Sequence, residues 1–560
     1  MTTRLSITAM LLLQCWLLLL FVKVDGWVVE EPPGDNTAKH IKFTQEPQDG
    51  DPFSGESEEE LELQRKRREV QAPPVTYRRK DHSEDGRYIS FNELGHIDRF
   101  KSGSVKSYRS LLFDTANYQL IVGARDHIYR LSLTGFHVLE SSSWSPDMAT
   151  TRLCELKGQD EYHCHNFVTL LERYKDRLLV CGTNAFSPLC SWRSLSRISS
   201  VEKVQKGVGQ SPFDPDLSIT YTMTTNGSLF VGTSNDFHGR DPAFMRIGGP
   251  RSWLRTNQYD YRWLSQPSFV ASFESGGFVY FFFRENAVEY LNCGERSFPR
   301  IGRVCKDDPG GTGGYSDKWT TFLKARLDCS APGDPPFYYD ALQSVSYMPA
   351  EDMFYGLFTT QQNGISGSAL CAFNMTSVNR TFDGAFRHQS TPSSAWSPVY
   401  ESMDHYRCQY GDYQTDPSVL SRASKSANKY QLMDRDVRPV DVHPVYTLDY
   451  ERLTHVAVDV VPTRQSGSVH VLYVAGEDAT IRKLSVVPRS SRTTVSNRNT
   501  STTCLLEIIA PFPRNATVKI HQLKFLRETH SLYIGTEDEV LRVPVHRCHR
   551  YRTRSACLKG

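Results

Sequence analysis

One unit recurs seven times and limits what this chain can fold into. It is a short apolar strand, usually with glycine near its end, then a polar turn, then a second strand. The copies begin at Leu120, Leu178, Leu229, Val279, Phe354, Leu472 and Leu532. Leu120–Gly123 leads to Ile128–Leu133, Leu178–Gly182 to a strand holding Cys190, and Leu229–Gly232 to one holding Phe244. Val279–Phe283 leads to Ala287-Val288, and Phe354–Phe358 to Ala369–Phe373. Leu472–Gly476 precedes Ile481–Leu484, and Leu532–Gly535 precedes Val540–Val543. A hairpin cannot bury its face alone, so such units stack or close on one another. Seven four-stranded blades in a ring would remove the exposed edges. The expected fold is therefore all-β, a seven-bladed β-propeller over residues 86–545. The first four copies start 50 to 58 residues apart, and 118 residues separate the fifth from the sixth, which places an insertion in blade five. An array of β-sandwiches fits the same pattern, and no Trp-Asp repeat decides between the two. Helix is scarce. The best candidate is Lys318–Leu327, where Trp319, Phe322, Leu323 and Leu327 have helical spacing.

Several features point to export. Residues 1–26 read as a secretory signal, with Arg4, an apolar run Leu5–Val22 and a cleavage context at Val24-Asp25-Gly26. An uncleaved membrane anchor is the alternative, since the run is just long enough to span. Residues 27–85 lack apolar periodicity and are expected to be disordered, with an acidic cluster at Glu56, Glu58, Glu59, Glu60 and Glu62. Arg65-Lys66-Arg67-Arg68 reads equally as a proprotein-convertase site or a solvated charge cluster. There are 13 cysteines, and Cys15 lies in the signal, so an even number remains for disulfides. Cys154 with Cys164, and Cys181 with Cys190, are near enough in sequence to close small loops; the others leave many pairings open. Asn226, Asn374, Asn379, Asn499 and Asn515 each begin a glycosylation sequon.

Charge and motifs narrow the function classes. The 65 Lys plus Arg against 63 Asp plus Glu exert no global pull toward nucleic acid or membrane. Gly310-Gly311-Thr312-Gly313-Gly314 lacks the Gly-Lys-Ser/Thr of a phosphate loop and reads as a flexible loop. Asp307 and Asp308 read as a solvated turn. His163 and His165 flank Cys164 without zinc spacing. No nucleophile stands beside a base and its orienter. The expectation is a binding protein, not an enzyme, with no cofactor, no metal and no nucleic-acid partner.

Longer motifs carry a resemblance. Val304-Cys305-Lys306-Asp307-Asp308, with Lys318 to Leu327 and Cys329-Ser330, resembles the semaphorin-domain signature. So do Cys181-Gly182-Thr183-Asn184-Ala185-Phe186, Arg240-Asp241-Pro242-Ala243, Phe281 to Ala287, Tyr355 to Thr360 and His455 to Val460. Val122-Gly123-Ala124-Arg125, Pro335 to Tyr339 and the ending Cys548 to Cys557 are similar to class 5 members. The ending resembles the first half of the small plexin-semaphorin-integrin module, so residues 546–560 are expected to be an incomplete copy, cut before the partners of Cys548 and Cys557.

The resemblance implies the pairs Cys154–Cys164, Cys181–Cys190, Cys305–Cys408 and Cys329–Cys371, which leaves Cys293 and Cys504 for each other. It also implies an extracellular guidance ligand that binds plexin receptors as a homodimer and controls axon guidance and cell migration. Such a chain is secreted as given, or held at the cell surface when the full-length protein carries a downstream span. By the same resemblance Gln258, Tyr259 and Asp260 would contact the plexin, with Tyr259 in place of a His common in the family. Lys429 and Met433 match a segment near the dimer contact, and Trp263 and Leu264 fall in the core. The alternative is a matrix or proteoglycan-binding adhesion module acting without plexin, which the balanced charge disfavours.

Overall fold

A computed structural model describes residues 87–95, 97–408, 416–463, 467–488 and 501–547. The signal, the 27–85 segment, Asn499, Cys548 and Cys557 lie outside the described residues. Seven sheets of four antiparallel strands follow one another as blades of a propeller. Their innermost strands are Ser110–Asp114, Val168–Tyr174, Thr220–Met223, Ser268–Ser275, Ala341–Met348, Leu453–Thr463 and Ile520–Leu526. The ring closes on itself. Asp98–Phe100, at the start of the described chain, pairs antiparallel with Val540–Arg542 and becomes the outer strand of blade seven. Tyr88–Ile89 adds a parallel edge to blade six against Ile508–Ile509.

The repeated glycine has a packing cause. Each glycine-ended run is the second strand of its blade, and at Gly123, Gly232 and Gly535 the next unit of the ring comes close. A Cβ on Gly123 would lie 2.4 Å from the Val168 side chain on the inner strand of blade two. Apolar layers seal the joints between blades. Phe282 of blade four meets Phe354 of blade five edge to face at 4.9 Å. Tyr473 and Ala475 of blade six share a buried cluster with Leu532 and Ile534 of blade seven.

The insertion lies between Gly367–Asn374 and the outer strand Tyr446–Asp449 of blade five. It holds helices Met375–Phe382 and Pro417–Lys429, each started by a capping side chain: Asn374 accepts from Ser377 N, and Asp416 from Ser418 N. The insertion then runs back along blade four. Lys324 N donates to Gln431 O (2.7 Å), Met433 N to Lys324 O (2.9 Å) and Val437 N to Arg326 O (2.8 Å). Disulfide Cys305–Cys408 ties the insertion to blade four, and Cys329–Cys371 ties the exit of blade four to blade five. Cys154–Cys164 and Cys181–Cys190 are also bonded.

Five readings are corrected. Lys318–Leu327 is not a helix; Leu323–Arg326 is the outer strand of blade four. Its apolar spacing arises because Trp319 stacks near Phe230 while Phe322 stacks on Trp263. Asp308 is fully buried, and its carboxylate accepts from Thr320 N, Thr320 Oγ1, Thr321 N and Thr321 Oγ1 at 2.6–2.9 Å. That grip holds the segment extended. The strand after Val279–Phe283 is Ser297–Cys305, because Val288–Cys293 turns into a 3-10 helix. Finally, Cys293 and Cys504 are free and exposed; one ends that turn on blade four and the other lies on the outer strand of blade six. Nor is the glycine-rich run loose at its start: a Cβ on Gly311 would meet Ser424 Oγ at 2.5 Å, so the Pro417–Lys429 helix packs on bare backbone there.

Candidate receptor-binding site

Between the outer strand of blade three, Leu254–Arg255, and the inner strand of blade four runs a loop with a rigid base and an exposed tip. Buried Arg255 pairs with buried Asp241, and its carbonyl accepts from Trp319 N at 3.2 Å. At the other end Trp263 is fully buried against Phe322, ring centroids 5.3 Å apart, and its carbonyl accepts from Lys324 Nζ at 2.9 Å. Lys324 belongs to a buried network beneath the loop. Its ammonium meets Glu285 at 2.5 Å, and Arg300 binds both Glu285 and Glu289. Burial outweighs these carboxylates and holds Lys324 below its ordinary pKa. Buried charges with every partner in place resist rearrangement.

On this base the tip is held out to solvent. Tyr259 is 77% exposed and sits at φ +54°, a left-handed conformation that bulky residues rarely adopt. Gln258 beside it is exposed. Asp260 faces inward to its own loop. Its carboxylate accepts from Arg262 N (3.0 Å), Nε (3.0 Å) and Nη2 (2.6 Å), while its carbonyl accepts from Trp263 N at 3.0 Å. Burial opposes its ionisation, but the Arg262 bonds prevail and keep the carboxyl below the usual range. Asp260 therefore braces the turn that presents Tyr259.

The tip borders a cleft of about 610 Å³. Tyr259, Tyr261 and Arg262 form one wall; Arg387, Trp396 and Lys429 of the insertion line the rest. The two segments read separately from the sequence, 258–260 and 429–433, thus converge on one feature. Lys429 is exposed at the helix end. Met433 is 3% exposed and packs in the core between blades four and five, so its side chain is unavailable to a partner. The cleft's contribution from residues 387–396 was invisible in the sequence, because nothing there signals that the insertion folds back over blade four. His388 lies among cations in this cleft: burial first, then Lys429 and Arg262, hold its pKa below the ordinary histidine value.

A Sema domain profile matches residues 340–524. The fold superposes on Drosophila Semaphorin 1b, extracellular domains 1-2, with a TM-score of 0.72 and 31% identity, covering 81% of this chain and 88% of that one. The chain belongs to the semaphorin family. Among curated relatives it is 40% identical over 471 residues to human Semaphorin-5A, covering 84% of this semaphorin and 43% of the human chain. It thus spans under half the length of that class 5 relative. A structure of Drosophila Plexin A in complex with Semaphorin 1b also matches, with a TM-score of 0.71 and 31% identity over 81% of this chain.

Proposed function

We propose that this semaphorin is an extracellular guidance ligand that binds a plexin receptor through the loop bearing Gln258 and Tyr259. The observation that carries the reading is the built tip: an aromatic ring 77% exposed, at positive φ, on a base of buried ion pairs. Exposed aromatics on rigid supports make interface anchors, because they bury much area at small entropic cost. A complex between a relative and a plexin supports the choice of partner. Asp260 acts by bracing the loop, with its carboxylate already satisfied by Arg262. The ligand works as a dimer, with Lys429 beside the partner copy and Met433 supporting its segment from below. Two linked propellers would engage two receptors, the second at high effective concentration. The chain is secreted, or displayed at the cell surface in a longer form.

The test is a panel of plexin ectodomains titrated against the secreted chain at physiological salt, with heparin alongside. Saturable binding to at least one plexin is expected. Heparin binding that survives physiological salt, with no plexin bound, would move the function to proteoglycan adhesion.

A further inference from the structure

Asn226 occupies the tip of the hairpin joining Thr220–Met223 to Leu229–Ser234 in blade three, inside the sequon Asn226-Gly227-Ser228. It is exposed, and it also lines a groove of about 430 Å³ whose other wall is blade two, with Tyr174, Arg177, Trp192 and Lys203. Its Oδ1 accepts from Ser228 N (3.0 Å) and Thr224 Oγ1 (2.7 Å), which fixes the side chain and leaves Nδ2 as its free end. Gly227, at φ +85°, lets the Tyr174 ring come right up to the turn: a Cβ there would lie 2.7 Å from Tyr174 Cζ. Trp192 is half-buried beneath the Arg177 guanidinium, 4.8 Å from its ring centroid, and Arg177 is itself held by Glu202 at 2.6 Å. Two fixed aromatic rings therefore stand beside a free amide nitrogen. Arg177 is already paired, so Lys203 is the cation left to the groove, a poor site for a polyanion. Aromatic faces and a few hydrogen-bonding groups suit a sugar, whose pyranose ring offers a C–H face for stacking and hydroxyls and an acetamide at its edge.

We propose that this groove seats the first sugars of an N-linked glycan on Asn226, so that the glycan lies along the joint between blades two and three. The proposal rests on the reading of this chain as an exported glycoprotein. Attachment consumes a lipid-pyrophosphate-linked oligosaccharide: the Nδ2–C1 bond forms, the C1–phosphate oxygen bond breaks, Nδ2 loses one proton and the lipid pyrophosphate leaves. Oδ1 keeps both of its hydrogen bonds, so the modification leaves the turn intact. The seated glycan also bars this joint to a receptor.

The experiment uses the full chain secreted from mammalian cells. Peptide-N-glycosidase is applied to the native protein, and occupancy is followed at Asn226 and at exposed Asn515 by glycopeptide mass spectrometry. Release at Asn226 should be about tenfold slower than at Asn515, the scale of one or two aromatic contacts, and denaturation should equalise the two. Trp192→Ser and, separately, Lys203→Ala should speed release at Asn226 alone. Should Trp192→Ser fail to be secreted, the Lys203→Ala and denaturation arms decide. An unoccupied Asn226 on a chain glycosylated elsewhere would overturn the glycan reading of this sequon. An occupied Asn226 released as fast as Asn515 would overturn the seat and leave glycosylation standing.

Discussion

Asp307 and Asp308 are adjacent in sequence and opposite in consequence. Asp307 is solvent-exposed near Arg251, at 3.6 Å, whereas Asp308 is fully buried and serves both threonines of Thr320-Thr321. Asp308→Ala would leave those buried donors unpaired, at ~3 kcal/mol or more. Asp307→Ala should stay within ~0.5 kcal/mol. Denaturation of the two secreted variants, or loss of secretion for the first, checks the contrast. Composition could not separate the pair, since what distinguishes them is contact with residues 12 and 13 positions further on. Asp260 shows the same limit. Its position in the loop was legible by resemblance, but its role depends on Arg262, two residues away. Asp260→Asn should weaken plexin binding by speeding dissociation, because the turn under Tyr259 loosens, with little change in the salt dependence of association. A marked loss of salt dependence would instead make Asp260 a direct electrostatic contact.

Among the elements, the disulfide loops and the insertion differ most in what they hold. Cys305–Cys408 spans 103 residues and Cys154–Cys164 spans 10. On loop-closure entropy, removing the first should cost about 4.7 kcal/mol and the second less than about 3. Paired Cys→Ser variants measured by chemical denaturation give the comparison, and equal losses would mean that local packing outweighs chain entropy. The small loop also carries His163, which meets Asp160 at 2.5 Å and Asp216 of the blade-three approach at 3.1 Å. Burial disfavours its protonation, but the two aspartates outweigh it and raise its pKa above 6.5. The protonated pair therefore stabilises fully below pH 6.5 and is lost as pH rises through the higher folded value. The melting-temperature gap between the wild type and His163→Asn should be widest near about pH 5.5 and shrink by about pH 8.5; a gap that grows with pH would reverse the assignment. The hairpin cores were readable because an apolar strand recurs in every copy and glycine in most of them. The outer strand at Leu323–Arg326 was not, because Trp319 and Phe322 before it pack toward blade three while Leu323 and Leu327 pack toward blade five, and together they mimic a helical stripe.

For the molecule as a whole, closure of the ring decides stability. The strand Asp98–Phe100 completes blade seven, where Arg542 reaches back to Asp98 at 2.5 Å and Arg99 to Glu539 at 2.5 Å. A secreted form lacking residues 87–100 would expose the edge of blade seven, and should aggregate or fail to be exported; a monomeric, cooperatively folded product would show that closure is dispensable. Seven repeated hairpins were legible from spacing, which fitted sandwiches as well as blades, and the 118-residue gap marked the insertion. What spacing could not convey is that the insertion returns across blade four and builds the cleft beside Tyr259. In the proposed function, receptor binding turns on that exposed ring. The most direct measurement is the affinity of the wild-type chain and of Tyr259→Ala for the plexin selected by the ectodomain panel, with secretion level recorded for both. Normal secretion with affinity weakened by ~2 kcal/mol, about 30-fold, is the predicted result. Normal secretion with unchanged affinity would contradict it.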